Sequence, residues 1–413
     1  MTMTAKRRRA HAKLAALPGV RAVRRPIAPG HPGEFDLYYV RTGLKSAHPL
    51  VIIPGGPGMA SVASYRGLRR HAAAAGLDVI MIEHRGVGLS RHDDTGADLP
   101  PEAMSVEQVV DDIAAVLDDA GVGSAIMYGT SYGTYLAAGF GVRHPHRVAQ
   151  MVLDSPLLSA SDIDYMRAAI RGLLLDGTDP QTADLAPKVR KLFDDGVLTD
   201  SAGQLAGALY GYGGAALLGR QIELLSSGRT WVWSGLNLLR RIPHHASPFR
   251  HEEDLVNRIA FRELNFAGVP DGLPLDPSVG IAEHNPEHEA FESEPFDLTA
   301  EMPRFGWPTV VVSGGRDLVT PPAVARRIAG LIPGAVLVEL PSAGHSVLDV
   351  RERAALAIVA AVRAGAADIL PDRAAELDAL PAKVVLRLAM SALTAATLAE
   401  SAVPPWVEGV RTS

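Results

Sequence analysis

The chain has 413 residues and no cysteine, which excludes disulfide scaffolds, Cys-x-x-Cys redox centres, thiolate metal sites and cysteine nucleophiles. Its 40 basic and 46 acidic side chains give a formal charge of −6, so there is no basic field to hold nucleic acid or an anionic membrane. With 47% hydrophobic and 21% charged residues, 40 Gly and 30 Pro, the composition is that of a globular chain with many tight turns, long enough for a large core with an insertion.

At the N-terminus the basic run Lys6, Arg7, Arg8, Arg9 precedes a short apolar stretch, Leu14 to Leu17, broken by Pro18, Gly19 and Arg21. That is a poor signal-peptide core. Residues 1–25 therefore read as a basic, solvated tail rather than a surface or lipid tether, and the protein as cytoplasmic. Phe35 to Val40 reads as an antiparallel edge strand. Short, nearly charge-free apolar runs follow at Pro49–Ile53, Val79–Ile82, Ser124–Tyr128, Ala149–Leu153, Thr309–Ser313 and Ala335–Leu340. Strands buried on both faces of a mostly parallel sheet have this character, and the helical patterns between them make the fold class α/β. One such pattern starts with Ser105 and Gln108 in capping-box spacing and continues through Val106, Val109, Val110, Ile113, Val116 and Leu117.

The rhythm stops after the fourth run. Residues 157–301 are helical and irregular, with a Gly-rich stretch at Tyr210–Gly214, a His/Pro loop at Pro243–Pro248 and an acidic stretch at Glu283–Asp297. An insertion of this length between two strands reads as a helical cap that roofs a pocket and selects substrate. The predicted organisation is a first core part over 26–156, the cap over 157–301, a second core part over 302–365 and a C-terminal helical extension over 366–413. No charge-free window of about 18 apolar residues suggests a membrane span. Val384 to Leu398 comes nearest, contains Arg387 and reads as a packed or surface helix.

At the end of the third run, Gly129-Thr130-Ser131-Tyr132-Gly133 forms G-x-S-x-G. A serine on a sharp strand-to-helix turn is strained, and side chains at the flanking glycine positions would clash, so the pattern predicts Ser131 projecting above the sheet. Its hydroxyl needs a base, and the base needs an orienting acid. Asp317 and His345 each follow a downstream strand, where open α/β sheets place their sites. Asp154, at the end of the fourth run, is the rival acid. His345 is the last of 14 histidines. Acyl transfer also needs donors for an oxyanion; the backbone amides of Gly56, in Gly55-Gly56-Pro57-Gly58, and of Tyr132 are assigned to that hole. A P-loop is excluded because its Lys and Ser/Thr are missing. No cofactor and no metal ion is expected.

These motifs, together with His84-Arg85-Gly86-Val87-Gly88-Leu89-Ser90, Gly315-Arg316-Asp317-Leu318-Val319-Thr320-Pro321 and Gly344-His345, resemble the α/β-hydrolase superfamily. The resemblance is strongest to its prolyl iminopeptidase and tripeptidyl aminopeptidase branch, runs in order over most of Leu50 to Val359 and is faint across the cap. It implies the α/β-hydrolase fold and a cofactor-free serine hydrolase that releases N-terminal residues from peptides, gripping the free amine with cap carboxylates. Pro54 stands where the branch usually has the histidine of His-Gly-Gly-Pro-Gly. Among the cap carboxylates Glu252, Glu253, Glu263, Glu289, Glu292 and Glu294, the pair Glu292 and Glu294 ranks first because aromatic residues flank it. Trp231 and Trp233 read as pocket walls or as ordinary packing. The expected partner is a peptide or small-molecule substrate. A carboxylesterase or lactonase on small esters is the alternative, as is a non-catalytic ligand-binding homologue. Epoxide hydrolases and dehalogenases are disfavoured, since they use aspartate where this chain has Ser131.

Overall fold

The computed structural model describes residues 2–240 and 247–403. An eight-stranded sheet organises it: β1 (Val20–Pro26), β2 (Glu34–Thr42), β3 (Leu50–Ile53), β4 (Val79–Ile82), β5 (Ala125–Thr130), β6 (Val148–Asp154), β7 (Thr309–Gly314) and β8 (Val336–Leu340), in spatial order β1-β2-β4-β3-β5-β6-β7-β8. β1 and β2 pair antiparallel to their neighbours, and β4, β3, β5, β6, β7 and β8 run parallel. The six nearly charge-free runs of the sequence are β3 to β8.

Their alternation builds two cores. Val51, Met127, Leu153 and Val311 point to one face, against the helices Val106–Asp119 and Tyr132–Arg143. Ile52, Ile126, Tyr128, Val152, Val310 and Val312 point to the other, against the helices Arg66–Ala74 and Glu352–Arg363. Each fully buried Val, Leu or Ile contributes roughly 1.5–3 kcal/mol, which explains why apolar residues dominate these central strands. Ser105 caps its helix by accepting from the Gln108 N–H at 3.3 Å, while the Gln108 side chain turns away to the Glu102 carbonyl. Only half of the expected capping box forms.

The N-terminal segment differs from the expected tail. Thr4 caps a helix, Ala5–Ala15, and β1 pairs with β2 over its whole length, so β1 and not β2 is the sheet edge. Two of the arginines of β1 are neutralised in place, Arg24 by Asp36 and Asp94 and Arg25 by Asp112.

Between β6 and β7 the described residues form helices and loops with an apolar core of their own, which includes Leu174, Val189, Leu209, Leu218 and Trp233. The Gly-rich stretch lies inside the helix Ala202–Ser226, which kinks at Gly214 (φ 76°, ψ −179°). A side chain there would also meet the Arg316 guanidinium. Residues 243–246 of the His/Pro loop fall outside the described residues. Past β8, the helix Val384–Ala402 is the one among the described residues long and apolar enough to cross a membrane. Its Val384, Val385 and Leu388 are exposed. It is fastened to the helical layer through Glu400, which accepts the Trp231 and Val232 N–H groups at 2.6 and 3.1 Å, and through Thr397, which accepts from Gln221.

Candidate active site

β5 ends in a sharp turn into the helix Tyr132–Arg143, and Ser131 sits on it at φ 52°, ψ −126°. Such a conformation costs about 1–3 kcal/mol for a residue with a side chain. It is held by the Ser131 N–H donating to the Asp154 carbonyl at 2.9 Å and by the Thr134 N–H donating to the Ser131 carbonyl at 2.8 Å. Both flanking glycines are obligatory: a Cβ on Gly129 would lie 2.3 Å from the Gly133 carbonyl oxygen, and one on Gly133 would lie 2.1 Å from that of Ile53.

Three strand ends meet here. The Ser131 Oγ lies 2.9 Å from His345 Nε2, and His345 Nδ1 lies 2.9 Å from Asp317 Oδ2. A carboxylate only accepts, so Nδ1 carries the proton and Nε2 is left to accept from the serine hydroxyl. Asp317 is buried and also accepts the N–H groups of Val319 and Thr320 on Oδ1, at 2.8 and 2.9 Å, and the Thr320 hydroxyl on Oδ2. Burial by itself would raise its pKa, but the charge and hydrogen bond of His345 and the two amides hold it below the usual carboxylate range. For His345, burial works downward, and the Asp317 carboxylate overcomes it and raises the pKa above its ordinary value.

Asp154 does not touch the imidazole. Its carboxylate accepts the Val347 and Leu348 N–H groups at 3.0 and 2.8 Å and the Tyr128 hydroxyl at 2.9 Å, which anchors the chain just beyond His345. The histidine loop is seated against the helical layer as well, since a Cβ on Gly344 would lie 2.7 Å from the Gly211 carbonyl oxygen.

The Gly55–Gly58 loop arches over the serine. A Cβ on Gly55 would sit tightly against the Ser131 Cβ at 3.0 Å, and Gly56, with φ 122° and a backbone nitrogen 2.7 Å from where its Cβ would be, requires glycine. Among the described residues neither the Gly56 nor the Tyr132 N–H donates to a backbone acceptor. His84, part of a sequence motif but without an expected role of its own, is packed beneath this loop with Nε2 3.1 Å from the Tyr132 hydroxyl. Burial pushes its pKa down to about 4 and keeps it neutral. Its place at the end of β4, opening a His-Arg-Gly loop, was the available signal. Arg85 is buried and grips Asp112 with two bonds of 2.7 Å, which fixes that loop from behind.

A cavity of about 560 Å³ opens above Ser131 and His345. Its walls are largely apolar, with Tyr135, Met166, Ile170, Phe261, Leu264 and Phe266 among them, and most of these come from the helical layer. The expected carboxylate pair is not there. Glu292 forms an exposed ion pair with Arg262 at 2.8 Å, and half-buried Glu294 accepts the Ala160 N–H. The carboxylates that do line the cavity are Asp162 and Glu253. Asp162 accepts the Leu158 N–H at 2.6 Å, and burial raises its pKa to about 6. Glu253 pairs with His251 at 2.9 Å. Trp233 is buried in the core of the helical layer and Trp231 is half exposed, and neither lines the cavity. Among the described residues no group of three or more His, Asp or Glu side chains is placed to hold a metal ion.

Residues 48–198 match a family model described as alpha/beta hydrolase fold. Rhodomycin D methylesterase DauP of Streptomyces sp. (strain C5) is 29% identical over 335 residues, covering 80% of this chain and 96% of its own length. A proline iminopeptidase of Neisseria meningitidis is 24% identical over 321 residues, covering 76% of this chain and 88% of its own. Among solved structures, a proline iminopeptidase of Mycobacterium smegmatis aligns at 17% identity with a TM-score of 0.48, over 86% of this chain and 99% of that one.

Proposed function

We propose that this chain, an α/β-hydrolase resembling the proline iminopeptidase branch of that superfamily, is a serine hydrolase that cleaves a bulky, apolar carboxylic ester through an acyl-enzyme. The hydrogen-bonded series Asp317–His345–Ser131 carries the reading. The Ser131 Oγ–H bond gives its proton to His345 Nε2 as Oγ bonds to the carbonyl carbon. The Gly56 and Tyr132 amides take the oxyanion, and the imidazolium is stabilised by Asp317. Collapse breaks the carbon–oxygen bond to the leaving alcohol, which receives the proton from Nε2. Water then gives a proton to Nε2 and attacks the acyl carbon; collapse breaks the acyl carbon–Oγ bond, Oγ takes the proton back from Nε2, and a carboxylic acid is released. The helical segment 157–301 acts as the cap that selects the acyl or alcohol part.

An ester fits better than a peptide amine because the pocket carboxylates are engaged: Asp162 with a backbone amide, Glu253 with a histidine. A relative named as a methylesterase is in keeping with this. The second reading, an aminopeptidase, rests on Glu253, which would release His251 to bind a substrate amine; a relative named as a proline iminopeptidase is in keeping with that. The test is fluorophosphonate labelling of the wild type beside Ser131→Ala and His345→Ala, followed by turnover of acyl nitrophenyl esters and aminoacyl arylamides. Wild-type labelling, lost in Ser131→Ala, with ester turnover that needs no free amine is the expected result. No labelling refutes the serine hydrolase. Turnover of arylamides alone, abolished by Glu253→Gln, refutes the ester reading.

A further inference from the structure

We infer that Arg7, through the N-terminal helix Ala5–Ala15, is a positioning residue for the glycine loop above Ser131; the inference rests on the serine hydrolase reading. The Arg7 guanidinium forks onto the Glu252 carboxylate, with Nη2 at 3.0 Å from Oε2 and Nη1 on Oε1. It also donates to the Gly88 carbonyl at 3.1 Å and lies 4.5 Å from the centre of the Phe249 ring. Four residues on, His11 Nε2 is 3.2 Å from the Leu89 carbonyl, and its ring meets those of Tyr38 and Phe249 edge-on. Glu252 is buried and its Oε2 also accepts the Gly88 N–H at 2.6 Å. A helix end, the β4 loop and the segment 249–253 are thereby tied at one carboxylate.

That segment is the other half of the glycine loop. The Glu252 N–H donates to the Gly58 carbonyl and the Ala60 N–H to the Arg250 carbonyl, each at 2.9 Å, and Met59 bridges His251. Gly58 is glycine because a Cβ there would lie 2.9 Å from the Glu252 carbonyl oxygen. Gly56 and Pro57 at one end of this pairing, and His251 and Glu253 at the other, line the cavity. Without Arg7, the buried Glu252 charge loses its counter-ion, and the backbone it holds, which is paired to the glycine loop, is free to shift. An oxyanion donor misplaced by an ångström loses much of its effect.

The experiment compares wild type with Arg7→Met, Arg7→Lys and, as a control, Arg24→Ala, whose side chain is exposed and pairs with Asp94. Ester kcat is expressed per fluorophosphonate-titrated site, and hydrogen exchange is followed over residues 55–60. Arg7→Met is expected to lower kcat per site and the labelling rate constant about tenfold, less than outright loss of a donor, and to speed exchange in the loop. Arg7→Lys, with charge but no fork, falls between, and Arg24→Ala matches wild type. A folded Arg7→Met with wild-type kcat per site and wild-type exchange overturns the inference even if its melting temperature falls, since that is a purely structural role. If Arg7→Met does not fold, Arg7→Lys decides: wild-type values overturn, a several-fold loss supports. A wild type that takes no label fails the serine hydrolase reading itself, and exchange over 55–60 still reports on the tie.

Discussion

Replacing Asp317 by Asn changes one atom and should remove nearly all turnover, for a reason that lies in its hydrogen bonds. Oδ1 accepts two backbone N–H groups, from Val319 and Thr320, so the amide oxygen of an asparagine must take that position. The NH2 group is then forced into the Oδ2 position, 2.9 Å from His345 Nδ1. Two donors cannot face each other, so the imidazole shifts its proton to Nε2, which then offers Ser131 a hydrogen where a lone pair is needed. With the tautomer wrong, kcat should fall ~10⁴-fold, about 5 kcal/mol of transition-state stabilisation. The fold should be retained, because every backbone bond at this turn survives. The assay is steady-state nitrophenyl ester hydrolysis at pH 7.5, scaled to correctly folded protein by circular dichroism. An Asp317→Asn variant within tenfold of wild type, beside an Asp154→Asn variant that is dead, would refute the reasoning and make Asp154 the acid.

Other perturbations follow from the same geometry. Because Asp317 raises the pKa of His345, and only neutral imidazole is a base, kcat/KM should fall as pH drops through a midpoint above 6.5. A pH–rate profile with its acid limb below that value contradicts the assignment. Gly133→Ala drives a Cβ into the Ile53 backbone; urea unfolding should show a loss of about 3 kcal/mol or more, and a loss under ~1 kcal/mol would mean the elbow yields. His84 is held neutral with a pKa of about 4 against 6.5 for the unfolded chain. The unfolded state therefore binds the extra proton, and stability falls as pH drops from 6.5 towards 4, by at most ~3 kcal/mol. His84→Gln should flatten that slope in urea titrations at pH 5 and 7, and unchanged slopes would dismiss it.

The parallel strands and the Ser131, Asp317 and His345 positions could be read ahead of the fold because each depends on local order: a charge-free run, then a loop with glycine and a reactive side chain. β1 could not. Val20–Pro26 contains three arginines, and the carboxylates that pair with two of them, Asp36 and Asp94 with Arg24 and Asp112 with Arg25, lie outside the strand, Asp94 and Asp112 far along the chain. The choice of Glu292 and Glu294 failed for a similar reason. Their aromatic neighbours suggested a pocket wall, but Phe296 packs into the core against Tyr135 and Gly139, and Phe291 is exposed. Asp162 and Glu253 line the cavity through the packing of separate helices and loops, which no short spacing encodes.

The contact between Gly344 and Gly211 bears on how substrate range can drift. Because the helix Ala202–Ser226 presses backbone to backbone on the histidine loop, remodelling that side of the cavity also moves the base, and new specificity there comes with lost rate. The wall of Phe261, Leu264 and Phe266 has no such glycine approach to the histidine loop. Libraries confined to those three positions can therefore reshape the cavity while the reacting groups stay in register.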